Sequence, residues 1–270
     1  MDAKTVIETI GGAAGDSGLF DALFLAGSFG KGSADQWSDV DLVGLAPPDR
    51  HPAIAAWWRA WIESQEPLIY FKVLNRGGML INAITAGWLR LDLNLPGDGK
   101  LGNRPQDGVK PLHDPADIHA GLVPSLPEHR PDREQIESMV LEFLRVMGLT
   151  PVGLGRQEYV TMVMGTGLLR DMLSQLMQEE LPIPDRGGIL HLSRLLPPED
   201  MKILLGLPYP GPEPESLVAA QLAIARIFLP RARALLERIG GTWPAQFEAA
   251  VRAHLGVTLK RTEESLWPIA

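Results

Sequence analysis

The stretch that most constrains this chain runs from Gly27 to Leu42 and reads GSFGKGSADQWSDVDL. An apolar run, Ala22-Leu23-Phe24-Leu25-Ala26, leads into it, and a second, Leu42-Val43, leaves it. The chain turns at Gly27-Ser28, stays small and polar through Gly32-Ser33, and reaches Asp39-Val40-Asp41 at the mouth of the second run. A strand followed by a Gly/Ser turn gathers backbone N–H groups and a hydroxyl at one point, which suits a phosphate oxygen. Strand alternation sends Asp39 and Asp41 to one face and Val40 and Leu42 to the other. Two carboxylates side by side need a cation between them, and Mg²⁺, a hard ion with oxygen ligands, is the natural one. The residues alone also admit a plainer reading, with Ser28 capping a helical turn and both aspartates solvated at a strand end.

Gly27-Ser28, ten further residues and then Asp39-x-Asp41 resemble the signature of the polymerase-beta-like nucleotidyltransferase superfamily. The layout is most similar to the bacterial antibiotic nucleotidyltransferases, aminoglycoside or lincosamide modifying. The resemblance implies an α+β chain: a small mixed β-sheet catalytic domain over residues 1–130, then an all-α helical bundle over residues 131–270 on the acceptor side. It implies a reaction that moves a nucleoside monophosphate, AMP by preference, from ATP or another NTP to a small-molecule hydroxyl, releasing pyrophosphate. In that scheme Asp39 and Asp41 hold Mg²⁺, while Gly27, Ser28 and Lys31 grip the terminal phosphates. Lys31 also has a plainer reading as a flexible surface lysine. Phe29 departs from the pattern, since many members carry a polar or basic side chain there. A non-catalytic, antitoxin-like module binding a protein partner is the alternative, although such modules are usually one small domain.

Composition narrows the partners. A chain of 270 residues holds one large domain or two modest ones. No run approaches the ~20 uninterrupted apolar residues that span a bilayer, so no membrane partner is expected. The opening MDAKTVIETIGG lacks a basic n-region and an apolar h-region, so no secretion signal is read. Zero cysteines fit a cytoplasmic location. A net charge of −8 argues against a long nucleic-acid track. Acidic and basic residues number 16 and 11 over residues 1–130, and 17 and 14 over residues 131–270. The helical half is the less acidic, which lends no support to a polycationic aminoglycoside as acceptor.

In chain order, Thr5–Ile10 reads as a short helix broken by Gly11-Gly12 and Gly15. Residues 51–64 place Ile54, Trp57, Trp58, Trp61 and Ile62 on one helical face, the spacing of a helix packed on a sheet rather than of a base-stacking surface. Strand-like runs follow at 68–74, 79–84 and 88–95. The last alternates Leu89, Leu91, Leu93 and Leu95 against Arg90, Asp92 and Asn94. The resemblance assigns Asp92 as the third carboxylate, either completing the metal site or taking a proton from the acceptor hydroxyl, with Arg90 and Asn94 holding it ionised. Residues 96–131 form a Pro/Gly-rich connector with a short closing strand near Val109–Pro115, where His113 reads as a turn residue.

Asp132 reads as the N-cap of a helix carrying Ile136, Met139, Val140, Phe143, Leu144 and Met147 on one stripe. The next helix, over residues 156–180, contains VTMVMGTGLL at Val160–Leu169, apolar or small all round, which predicts the buried centre of the bundle. Gly165 and Gly167 there predict a closely packed neighbouring backbone. Arg156, Glu158 and Arg170 frame that helix and are the expected acceptor-side residues. Gly187-Gly188 should break the chain before a short helix at Ile189–Leu196 holding His191. A long helix from Ser216 to Ile239 with Pro230 inside follows, and then a last helix with Phe247, Val251 and Leu255 on one face.

Overall fold

The computed structural model describes residues 1–187 and 189–268. They form two compact units, Met1–Pro127 and Glu128–Ala270. The first is built on one mixed six-stranded sheet and the second is helical, so the chain is an α+β protein.

The first unit runs α1 (Ala3–Ser17), β1 (Ala22–Leu25), α2 (Gly27–Lys31), β2 (Val40–Leu45), α3 (His51–Gln65), β3 (Leu68–Asn75), β4 (Gly78–Thr85), β5 (Arg90–Pro96) and β6 (Lys110–His113). The sheet order is β3-β4-β5-β2-β1-β6. Only β2 and β5 pair in parallel; the other neighbours are antiparallel. One face is closed by α1 and α3 over Val6, Ile10, Leu23, Leu42, Ile54, Trp58, Ile62, Leu91 and Leu93. Burial of each such large side chain stabilises the unit by about 1.5–3 kcal/mol. On the opposite face Phe24, Val43, Leu45, Leu101 and Val109 make a smaller core. The tryptophans of α3 pack on the sheet as the spacing predicts. Trp58 is fully buried, and Trp57, Trp58 and Trp61 stack with centroids 5.3–6.5 Å apart.

Three local expectations are corrected. Helix α1 is not broken at Gly11-Gly12; it continues to Ser17 and ends at Gly18 in the left-handed region, φ 65°. A side chain at Gly11 would stand 2.2 Å from the Leu112 carbonyl oxygen, and one at Gly15 would stand 2.9 Å from the His113 ring. These glycines therefore let β6 approach the helix rather than end it. The Gly27-Ser28 turn is wound as one short helix, α2, capped by Gly32 at φ 73°. Strand β5 begins at Arg90 rather than at Trp88, whose φ of 66° closes the turn from β4.

The second unit runs α4 (Arg133–Gly148), α5 (Thr150–Gly155), α6 (Tyr159–Glu179), α7 (Leu192–Leu195), α8 (Pro198–Gly206), α9 (Pro214–Ile239) and α10 (Ala245–Thr258). Asp132 caps α4 by accepting the Gln135 N–H at 2.8 Å. Pro230 lies inside the continuous α9, which supplies the centre of the core with Leu222, Ala225, Phe228, Leu229, Leu235 and Leu236. Phe143 of α4 stacks on Phe228 at 3.9 Å. Arg231 of α9 pairs with Glu180 and Asp200, joining the ends of α6 and α8 to it.

The predicted buried centre at Val160–Leu169 is overturned. Val160 is 74% exposed and Met164 71%, and only Met162, Thr166 and Leu169 of that stretch are buried. Those three lie at i, i+4 and i+7, a single stripe. Nothing lies within 4 Å of a side chain built at Gly165 or Gly167, so no backbone packs there. Phe247, expected on the packed face of α10, is also partly exposed. Gly188, the second residue of the expected glycine break, lies outside the described residues; after it come a 3₁₀ turn at Ile189–His191 and α7.

One segment, Arg133–Gly155, is long and apolar enough to cross a membrane by length and composition. Its apolar stripe, Ile136 to Met147, is packed into the helical core, and the Glu142–Arg145 pair sits on its surface.

Candidate active site

Parallel pairing of β2 with β5 sets Asp41 opposite Asp92 in register. Adjacent strands lie about 4.8 Å apart, so the two carboxylates leave the sheet side by side. Asp39, two residues before Asp41, projects from the same face. Ligand oxygens of Asp39, Asp41 and Asp92 all lie within 4.8 Å of one another, and all three residues are half-buried. The leucines and valine between them, Val40, Leu42, Leu91 and Leu93, are buried on the other face and lock the register.

The electrostatics follow from this crowding. Burial pushes the Asp41 carboxyl up to about 6, and the neighbouring charges of Asp39 and Asp92 add to the rise. Arg90 and Lys31 oppose it. Asp92 is raised as well, first by burial; a hydrogen bond from Asn82 and the charge of Arg90 work against that rise. Asn82 is the register partner of Asp92 across β4, so its amide reaches the carboxylate from the side away from Asp41. Arg90, at the start of β5, lies 3.6 Å from Asp39 and donates to the Trp37 carbonyl at 2.9 Å.

The N-terminus of α2 abuts this cluster. The Ala26 N–H donates to the Asp41 carbonyl at 2.8 Å, holding α2 to the start of β2. Gly27 has φ 57°, and a Cβ there would stand 1.9 Å from Asp41 Oδ2. Only glycine leaves that space for the carboxylate. Ser28 Oγ is buried and has no hydrogen-bond partner, the condition of a hydroxyl placed for something else. Lys31 closes α2, and Lys110 Nζ of β6 comes within 3.9 Å of where a Gly32 side chain would begin.

The structure thus brings together Gly27, Ser28, Lys31, Asp39, Asp41 and Asp92. Arg156, Glu158 and Arg170 belong to the helical unit. Arg156 and Glu158 are exposed where α5 passes into α6. Arg170 donates to the carbonyls of Leu204, Leu207 and Pro208 at 2.9–3.1 Å and lies 4.0 Å over the Tyr209 ring. Those bonds clamp the α8–α9 connection. Asn82 and Lys110 were missed by sequence reasoning. Asn82 carries no signal except its place on the polar phase of an alternating strand.

An all-oxygen set of three carboxylates suits a hard divalent cation. The space a Gly27 side chain would take is filled by the Asp41 carboxylate, while the unpartnered Ser28 hydroxyl beside it can donate to an anion, so the residues fit Mg²⁺ with a phosphate oxygen at Ser28.

No protein-family model matches the sequence, and no curated protein matches it. Among solved structures, the chain is similar to an aminoglycoside 6-adenyltransferase from Bacillus subtilis, at 13% identity and TM-score 0.45, covering 93% of this chain and 96% of that one. It is also similar to a CCA-adding enzyme from Thermotoga maritima complexed with tRNA, at 12% identity and TM-score 0.34, covering 100% of this chain and 60% of that one. A CCA-adding enzyme in an apo form matches at 12% identity and TM-score 0.35, covering 96% of this chain and 71% of that one.

Proposed function

We propose that this chain is a metal-dependent nucleotidyltransferase that moves AMP from ATP to a hydroxyl of a small molecule and releases pyrophosphate. The observation that carries the reading is the convergence of Asp39, Asp41 and Asp92 within 4.8 Å, beside a glycine-cleared helix start with an unpartnered serine hydroxyl.

Asp39, Asp41 and Asp92 would hold Mg²⁺, which when bound would offset the negative charge of the phosphates. Gly27 lets the Asp41 carboxylate lie against the α2 backbone, Ser28 Oγ donates to a phosphate oxygen, and Lys31 adds a positive charge at the far end of α2. Asp92 also accepts the proton of the acceptor hydroxyl, and a hydrogen bond from Asn82 fixes its orientation. The acceptor oxygen forms a bond to the α-phosphorus as the bridging bond to the β-phosphate breaks, and pyrophosphate leaves. Hydroxylated antibiotics are the first acceptors to test.

The test is pyrophosphate release with each of the four nucleoside triphosphates against a library of hydroxylated acceptors. Metal-dependent release together with a nucleoside monophosphate added to one acceptor supports the reading. Release that is indifferent to chelator would refute it.

A further inference from the structure

We propose that Arg90 is a positioning residue for the metal site, holding Asp39 and the turn before it against β5 so that the three carboxylates converge before the ion arrives. This rests on the metal-site reading above.

Asp39 stands outside the regular strand, at the end of the segment that links α2 to β2. That segment is shaped by short-range bonds. The Asp35 N–H donates to Ser38 Oγ at 3.0 Å, the Trp37 N–H to Asp35 Oδ1 at 2.9 Å, and the Ser38 N–H to the Asp35 carbonyl at 3.1 Å. Such bonds set the form of the turn itself. The Trp37 side chain does not anchor it, being 77% exposed. Arg90 reaches it from 53 residues away, through the Trp37 carbonyl at 2.9 Å and Asp39 Oδ2 at 3.6 Å. Arg90 is itself fixed, since it pairs with Ile84 of β4 and is followed by the buried Leu91. One guanidinium therefore joins Asp39 and the turn before it to the strand that carries Asp92.

Two effects of Arg90 oppose each other, and their signs decide the case. A positive charge beside a cation site repels the cation, so by Coulomb's law alone removing Arg90 tightens metal binding. A ligand released from its anchor must be ordered at the moment of binding, so by preorganisation removing Arg90 loosens it. The proposal commits to the second effect winning.

The probe is Mn²⁺, followed by loss of the free-ion paramagnetic resonance signal and displaced by Mg²⁺, on the full chain without nucleotide. Arg90→Met should weaken Mn²⁺ binding about 10-fold or more, the usual size for an outer partner of a metal ligand. In the metal-free protein it should also speed amide exchange over residues 33–39, while circular dichroism stays that of the wild type. If the Met variant does not fold, Arg90→Gln carries the same expectation, being equally neutral and suited to a half-exposed place. Binding equal to or tighter than wild type, or unchanged exchange over 33–39, overturns the proposal while leaving the metal site in place. Failure of the wild type to bind Mn²⁺ overturns the metal-site reading and the proposal with it.

Discussion

Asp41 and Asp92 lie in register on the one parallel strand pair of the sheet among the described residues. Two carboxylates from segments about fifty residues apart are thereby set one strand spacing from each other. Their mutual repulsion is part of what the fold must overcome.

The first concerns pH. The Asp41 carboxyl is raised to about 6 from an ordinary 3.8, so the folded state favours its protonated form. The stability this contributes is complete below about 3.8 and is lost as pH rises through about 6. In metal-free protein the Asp41→Asn melting temperature should therefore exceed that of wild type at pH 7.5 and approach it near pH 4.5. Mg²⁺ should raise the wild-type melting temperature at pH 7.5 and do so progressively less below pH 6. Thermal scans across pH, with and without Mg²⁺, read both effects.

The second concerns Gly27. In Gly27→Ala the new methyl must displace the Asp41 carboxylate and the residue must keep φ near 57°. A loss of about 1–2 kcal/mol is expected, together with weakened Mn²⁺ binding. Gly12→Ala is the control. Gly12 lies in α1 with nothing within 4 Å of its Cβ direction, so the change should add up to about 1 kcal/mol. Denaturant unfolding of the two variants should give opposite signs.

Gly27 and Gly11 show where sequence reasoning reached and where it stopped. The Gly27-Ser28…Asp39-x-Asp41 signature and the alternation around Asp92 are local patterns, and they mark the carboxylates and the strands that carry them. Gly11 breaks a helix by propensity, yet α1 runs through it because the Leu112 carbonyl, a hundred residues on, occupies the place of a side chain. The stretch Val160–Leu169 is apolar on every side, so no periodicity distinguishes its packed stripe from its exposed one. Asn82 and Arg90 acquire their roles only through strand register, and register between distant strands is set by the assembled core. The bonds of Arg170 to the Leu204, Leu207 and Pro208 carbonyls were not legible because carbonyls that accept from a side chain carry no sequence mark.

The third concerns Asp92. As a base alone, Asp92→Asn should slow transfer by roughly 10²–10⁴-fold and leave Mn²⁺ affinity unchanged. As a metal ligand it should lose Mn²⁺ affinity too, with part of the rate restored by excess Mg²⁺. The account gives Asp92 both roles, so it predicts slowed transfer together with a loss of Mn²⁺ affinity smaller than in Asp41→Asn. Equal losses would assign Asp92 to the metal.

The fourth concerns the first unit by itself. Residues 1–127 contain the whole carboxylate cluster and their own buried cores. Expressed alone, this fragment should fold cooperatively and bind Mn²⁺ with the affinity of the full chain. Circular dichroism melting and the resonance titration check this, and an unfolded fragment would show that the core of the first unit is insufficient.

The most direct test compares the wild type with Asp39→Asn/Asp41→Asn in the pyrophosphate-release screen. The double change keeps the shape of both side chains and removes both charges. The account predicts metal-dependent release with a nucleoside monophosphate transferred to an acceptor by the wild type. It predicts none from the double variant, although that variant should stay folded and melt a few degrees higher because like charges no longer face each other. Release at the wild-type rate by the double variant would contradict it.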